Sequence, residues 1–278
     1  MMELGLKQLT EAQFEQISQL VKQLCGINLH EGKKELVKAR LSKRLRTLGL
    51  GSFQEYIDMV RDDPTGPELT VMLDALSTNL THFFREPQHF EYLREGVVPE
   101  AVKRNASTRR FRIWSAGCSS GEEPYTLGMV LSETPLLRGW DVRILGTDLS
   151  TKVLNIASEA VYDQSRFRDT PRPLMSKYFT CIKQMGATRT YKVCKDLREM
   201  VRLARLNLME NWPMRGPFDA IFCRNVMIYF DKTTQGRLVN RFWDILAPGG
   251  TLFIGHSESL TGIQHRFRYV QPTVYQRP

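Results

Sequence analysis

The chain lacks any apolar run approaching the ~20 residues that a membrane-spanning helix requires. Its start, MMELGLKQLTEAQFEQ, lacks the basic flank and apolar centre of a secretory signal. Its five cysteines (Cys25, Cys118, Cys181, Cys194 and Cys223) form no CxxC pair and leave one over if bridged. Reduced thiols in a cytoplasmic protein are therefore expected, and no metal site is. Acidic residues are in deficit: 30 Asp and Glu against 39 Lys and Arg leave a net charge of +9. That balance admits nucleic acid, an anionic membrane or an acidic protein as partner and does not choose among them. What is present, 278 residues of which 42% are hydrophobic and 25% charged, suffices for a sizeable core in one large domain or two.

Residues 1–80 read as a small all-helical domain. Thr10 can cap a helix whose apolar positions Phe14, Ile17, Val21 and Leu24 recur at helical spacing, and Gly26 can end it. A second helix runs from about Gly32 to Leu48 and stops at Gly49. A third starts at Ser52, with Glu55 completing a capping box, and ends before Pro64; a fourth begins near Pro67. On the second helix Val37, Leu41, Leu45 and Leu48 share one side, and Arg40, Lys43 and Arg46 line roughly the other. Such a stripe is either a solvated face or a docking stripe for an acidic partner. No aromatic residues interleave with it, so base stacking is poorly supported.

Residues 81–110 read as a linker and connecting helix. The junction STNLTHFFREPQHF (77–90) sets Asn79, Thr81 and Arg85 among Leu80, Phe83 and Phe84, and Pro87 opens the next helix; KRNASTRR (103–110) is a polar loop. From residue 111 to 278 strands alternate with helices, the pattern of a mostly parallel α/β sheet. Strands are expected from Phe111, at DVRILG (141–146), Val201–Leu206, Phe218–Cys223 and Thr251–Gly255, the last as the final central strand. A hairpin around MGAT, inserted at about 176–200, breaks the alternation.

The centre of this half is FRIWSAGCSSGEEPYTLGMVL (111–131). Small residues between a strand and a helix let backbone amides approach a ligand. Glu122 and Glu123 at the helix start would repel a pyrophosphate but suit an amino group or another cation. Asp148, at the tip of the second strand, is placed to bind ribose hydroxyls. Gly117, Asp148, Asn207 and Asn225 all fall at carboxyl ends of strands, where open α/β sheets bind ligands. The order of glycine loop, helix, strand with terminal Asp, polar strand tips and PGG turn fits the S-adenosylmethionine-dependent methyltransferase version of the Rossmann-like fold.

The segments TNLTHFFRE, RIWSAGCSSGEEPYTL, FDAIFCRNVMIYFD and GHSE, in that order and spacing, closely resemble the chemotaxis receptor methyltransferases called CheR. The resemblance covers nearly the whole chain. It implies a Rossmann-like class I methyltransferase sheet with an inserted β-hairpin subdomain, preceded by a small all-helical domain. It also implies methyl transfer from S-adenosylmethionine to glutamate side chains on cytoplasmic helices of chemoreceptors, leaving S-adenosylhomocysteine. By resemblance Asn79, Thr81, Arg85, Glu123, Asp148, Asn207, Leu208, Arg224 and Asn225 contact the cofactor, and Arg85 and Tyr229 lie near the transferred methyl. Glutamate-rich receptor helices give the stripe Arg40, Lys43 and Arg46 a docking partner of opposite charge. Some members hold a receptor-end peptide on the inserted hairpin through a glycine-rich connection. Here Gln184-Met185-Gly186-Ala187-Thr188 contains one glycine, so tethering is not carried over.

A glutamate side chain, with a pKa near ~4.3, is already ionised at neutral pH. No general base is needed, and the enzyme has only to align oxygen, methyl and sulfur and exclude water. His82 and His256 are accordingly expected in packing or hydrogen-bonding roles. Two rival readings are a methyltransferase for RNA or a small molecule and a non-catalytic adaptor that binds S-adenosylmethionine. Base-amino methylation is disfavoured because CRNVMIYF stands where such enzymes carry an Asn/Asp-Pro-Pro-aromatic stretch.

Overall fold

The structure is a computed structural model that describes residues 8–63, 66–77, 79–186 and 188–278. The first seven residues, Pro64 after the third helix, Thr78 in the junction and Ala187 of the hairpin connection lie outside the described residues. The chain divides into two compact units, Met1–Thr78 with Tyr229–Thr234, and Asn79–Ile228 with Gln235–Pro278.

In the first unit α1 (Glu11–Cys25) starts at a reciprocal capping box between Thr10 and Gln13 and ends on Gly26 at φ 77°. One 3-10 turn (Glu31–Lys33) leads into α2 (Lys34–Leu48), which ends on Gly49. Ser52 caps α3 (Phe53–Asp62), and Pro67 opens α4 (Pro67–Leu76), where its missing N–H costs no hydrogen bond. The core takes Phe14, Ile17 and Val21 from α1, Val37, Leu41 and Leu45 from α2, and Tyr56, Ile57 and Val60 from α3. The α1 and α2 positions are among those read from 3.6-residue periodicity, while Leu24 and Leu48, read with them, are only partly buried.

The second unit begins with α5 (Gln88–Tyr92) and α6 (Val98–Arg104), joined by a wider π turn (Leu93–Val97). Then follow β1 (Arg110–Ala116), α7 (Glu122–Ser132), β2 (Asp141–Asp148), α8 (Thr151–Glu159), β3 (Val161–Asp163), α9 (Arg172–Tyr178), β4 (Phe179–Met185), β5 (Thr188–Val193), α10 (Lys195–Met200), β6 (Val201–Arg205) and β7 (Phe218–Cys223). The chain ends with α11 (Lys232–Ile245), β8 (Leu246–Ile254), β9 (Arg268–Gln271) and β10 (Val274–Gln276). Seven strands form one sheet in the order β6-β2-β1-β7-β8-β10-β9. The first five are parallel, and β10 and β9 add antiparallel strands at one edge. Strand β7 is buried at every position, as a central parallel strand covered on both faces must be. The order reverses at β1, which pairs with β2 on one side and β7 on the other. The crevice beyond its carboxyl end is thus the topological switch point where doubly wound sheets bind ligands.

Two expectations need correction. The strand at Thr251–Gly255 is not the last: β8 already pairs with β7 at Phe218↔Leu246, slips through the APGG stretch, and is followed by β10 and β9. Those edge strands, three and four residues long, are too short to show period-2 alternation. The inserted hairpin β4–β5 is likewise not alone, since Val161–Asp163 pairs with β5 to make a three-stranded sheet.

Candidate active site

The loop between β1 and α7 is fixed by its own backbone. The amides of Gly117 and Cys118 both donate to the Thr147 carbonyl at 2.8 Å, which folds the loop over the end of β2. Gly117 has φ 84°, and a Cβ there would stand 2.4 Å from a Val226 methyl, so only glycine fits. Asp148 ties this loop to the start of α8: its Oδ2 accepts the Ser119 amide and its Oδ1 the Ser150 amide, each at 2.9 Å. Asp148 thus stands at the carboxyl end of β2, where this class of fold binds ribose hydroxyls. The Ser119 hydroxyl reaches the Asn79 carbonyl at 3.4 Å, which brings the junction segment to the same loop.

The two glutamates at the start of α7 part company. Glu122 is fully buried beneath the loop, where it accepts from the Ser120 hydroxyl at 2.7 Å and has Arg166 at 3.2 Å. Glu123 points the other way, accepting from the Ser115 hydroxyl at 2.7 Å with Arg224 Nε 3.2 Å away. Burial pushes both carboxyls up, opposed by the Ser120 hydroxyl for Glu122 and by the Arg224 charge for Glu123. The sequence treated them as a pair facing a ligand; Glu122 is instead committed to holding Arg166, whose guanidinium also reaches the Thr81 carbonyl at 3.0 Å.

Arg224, at the end of β7, is the hub. It is buried between Glu123 and Glu86, the latter 3.5 Å from its Nε, and its Nη2 donates to the Arg85 carbonyl at 2.5 Å. Its Nη1 and the Glu86 Oε2 have no hydrogen-bond partner among the described residues. His89 lies beside Glu86. Its Nε2 is 2.7 Å from the Thr273 hydroxyl oxygen, and that hydroxyl itself donates to the Pro272 carbonyl. Its Nδ1 lies 3.5 Å from Glu86 Oε2. Burial, reinforced by the Arg224 charge, pushes His89 down to about 3, so its ring is neutral. Glu86, His89 and His256 offer donor atoms within 4.8 Å of one another, but the Arg224 guanidinium already meets the Glu86 charge there.

The junction segment explains its own alternation. Phe83 is fully buried, stacked on Phe167 with centroids 4.8 Å apart and edge-on to Tyr162 and Phe179. Its amide donates to the Arg166 carbonyl, and the Phe84 amide to the Thr126 hydroxyl, both at 3.2 Å. With these rings anchored, Arg85 is left half-buried, its Nη1 donating to the Leu80 carbonyl at 2.8 Å. His82 packs 3.0 Å from Asp169 and 3.1 Å from Arg168, a surface hydrogen-bonding role.

Asn207 and Leu208 follow β6 and are both buried; the Asn207 side chain closes its own turn by accepting from the Met209 amide at 3.0 Å and donating to Glu210 at 3.0 Å. Asn225 adopts φ 60° and donates to Glu86 at 3.4 Å. The structure thus brings Asn79, Arg85, Glu123, Asp148, Arg224 and Asn225 around the carboxyl ends of β1, β2 and β7. Tyr229 groups with the helical unit, where its carbonyl accepts from the Asn28 amide at 2.7 Å and Lys33 Nζ lies 5.0 Å from its ring centroid. The basic stripe is not uniform. Arg40 donates to the Leu76 and Ser77 carbonyls at the end of α4, each at 2.8 Å, whereas Lys43 and Arg46 are exposed. Sequence reasoning missed Glu86, His89 and Glu258; only their place inside REPQHF and GHSE marked them.

At the carboxyl ends of these strands the sheet unit presents a buried guanidinium with an unused N–H, the carboxylates of Glu86 and Glu123, an aspartate at the second strand tip and a glycine-containing loop. That set fits a nucleoside carrying an amino-acid end: its carboxylate can meet Arg224, its ammonium a glutamate and its ribose Asp148. Comparison with known proteins identifies the family and its cofactor class. The model for the CheR methyltransferase SAM-binding domain matches residues 79–276, and that for the CheR methyltransferase all-alpha domain matches residues 12–77. The chain is 43% identical to a probable chemotaxis protein methyltransferase of Rhizobium etli, over 90% of this chain and 94% of that one. It is 39% identical to a chemotaxis protein methyltransferase of Borreliella burgdorferi (97% and 95% covered) and 38% to that of Escherichia coli (96% and 91%).

Proposed function

The chain belongs to the CheR methyltransferase family, and from that premise we propose that it esterifies glutamate side chains on glutamate-rich cytoplasmic helices of chemoreceptors. It is an S-adenosylmethionine-dependent methyltransferase of chemotaxis. The observation that supports the reading is the arrangement around Arg224: a buried guanidinium flanked by Glu86 and Glu123, with an Nη1 that lacks a hydrogen-bond partner among the described residues.

The cofactor supplies a methyl group made electrophilic by its sulfonium. Arg224 and Arg85 would hold its carboxylate, Glu123 its ammonium and Asp148 its ribose, with Asn79, Thr81, Asn207, Leu208 and Asn225 completing the walls. Arg85 would also face the incoming substrate carboxylate. The nucleophile arrives ionised, so alignment and exclusion of water do the work that a general base does elsewhere. A cytoplasmic location follows from that substrate. Among the described residues no helix is long and apolar enough to cross a membrane.

Labelled methyl transfer to receptor cytoplasmic fragments, with RNA as control, tests the reading. Label released by mild base identifies a carboxyl ester, and label in RNA alone refutes the proposal. Arg85→Ala should abolish most transfer; a near-wild-type rate with unchanged cofactor affinity would remove Arg85 from the site.

A further inference from the structure

Glu258 has no part in the chemistry above, yet it is buried (9% exposed) just beyond β8. Burial pushes its carboxyl up, and the amides around it oppose that shift. Its Oε2 accepts the Gly255 amide at 2.5 Å and the Asn225 amide at 3.0 Å, and its Oε1 accepts the Ile228 amide at 3.1 Å. Three main-chain donors from two strand ends converge on one side chain, and two of them belong to the turn that leaves β7. Asn225 itself sits at φ 60°, in the left-handed region that asparagine enters more readily than other non-glycine residues, so the turn doubles back toward Glu258. Gly255 closes the arrangement from the other side: a Cβ there would stand 2.5 Å from Asn225 Nδ2 and 2.7 Å from its amide nitrogen.

We propose that Glu258 is a positioning residue for cofactor binding, its carboxylate gathering the amides of Gly255, Asn225 and Ile228 so that Arg224 and Asn225 are presented to the ligand. The inference rests on the assignment of Arg224 and Asn225 to the cofactor. A carboxylate suits this post because both oxygens must accept. In Glu258→Gln one end becomes an NH2 group facing an N–H, so a bond is replaced by a donor against a donor. Gly255→Ala strikes the same turn without touching Glu258.

The test measures cofactor KM, kcat at saturating cofactor, and amide exchange of the 224–229 peptide in Glu258→Gln, Gly255→Ala and the exposed control Ser257→Ala. The expected result is faster exchange and a rise of about tenfold in cofactor KM in the first two, the equivalent of one charge-assisted hydrogen bond. Their kcat should change far less, and the control should match wild type. Unchanged exchange in both variants overturns the hold that Glu258 exerts. Faster exchange with unchanged cofactor KM overturns instead the assignment of Arg224 and Asn225 to the cofactor, and the positioning role with it. If Glu258→Gln does not fold, Gly255→Ala answers alone. In the wild type the Asn225 and Ile228 amides must exchange slowly; rapid exchange there also overturns the proposal.

Discussion

The docking stripe yields a quantitative prediction once its three cations are separated. Lys43 and Arg46 are exposed, and their side chains make no hydrogen bond or ion pair among the described residues. Each is free to meet a receptor carboxylate, an exposed contact worth about 0.2–1 kcal/mol. Reversal to glutamate replaces that attraction with a comparable repulsion, so the double variant Lys43→Glu/Arg46→Glu should lose about 1–3 kcal/mol of docking free energy. In a methyl-transfer assay on receptor fragments that is a rise in receptor KM of roughly five- to a hundredfold at low ionic strength. Near 1 M salt, where the screening length falls to about 3 Å, the difference from wild type should nearly vanish. Cofactor KM and melting temperature should not move. Arg40 must be kept out of this variant, because its guanidinium satisfies two carbonyls at the end of α4. Arg40→Ala should therefore cost about 1–3 kcal/mol of stability whatever it does to docking. A double variant with unchanged receptor KM at low salt refutes the docking role of α2.

Other consequences are simpler to read. His89 is held neutral in the fold at about 3, whereas in the unfolded chain it protonates near its ordinary 6.5. Its contribution to stability is complete above about pH 6.5 and lost progressively as pH falls toward 3, and a neutral replacement such as His89→Gln should flatten that part of the stability–pH curve in denaturant titrations. Gly117→Ala, which imposes φ 84° on alanine and a 2.4 Å contact with Val226, should cost about 1–3 kcal/mol and weaken cofactor binding, as calorimetry can measure. Burial pushes Cys25 up to about 11 and raises Cys118 and Cys223 further above the ordinary thiol range, while Cys181 is exposed. A thiol reagent should thus find its fast site at Cys181, and Cys181→Ser should remove that phase.

Local signals were legible in the sequence because their physics is local. Thr10, Ser52 and Pro67 start helices and Gly26 and Gly49 end them through contacts within a few residues, and the strand tips at Gly117, Asp148 and Asn225 followed from apolar runs and what comes after them. Features that depend on distant partners were not. Strand β3 is three residues long and is defined by pairing with a strand some 30 positions away. Nothing near Arg40 in sequence announces that its donors will be taken by carbonyls 36 and 37 residues on.

The same division runs through the site and decides what each acidic residue does. Of the carboxylates around the ends of these strands, four are described alike by their sequence neighbours, as glutamates or aspartates near strand ends. Their partners separate them. Glu122 is held by Ser120 and Arg166 beneath the loop, and Glu258 by three backbone amides, so both are spent on shape. Asp148 binds two amides at the tip of β2, and Glu123 shares Arg224 with Glu86 beside a guanidinium nitrogen that has no acceptor. Beside Arg224, its own Nη1 and the Glu86 Oε2 have no hydrogen-bond partner among the described residues, a capacity that a ligand can complete. The cost of burying Arg224 with an unused donor is recovered when a carboxylate enters. Cofactor binding should therefore be coupled to stability: saturating S-adenosylmethionine should raise the melting temperature of the wild type and do so markedly less in Arg224→Met, where the donor is gone. An equal shift in both would place the ligand's carboxylate elsewhere.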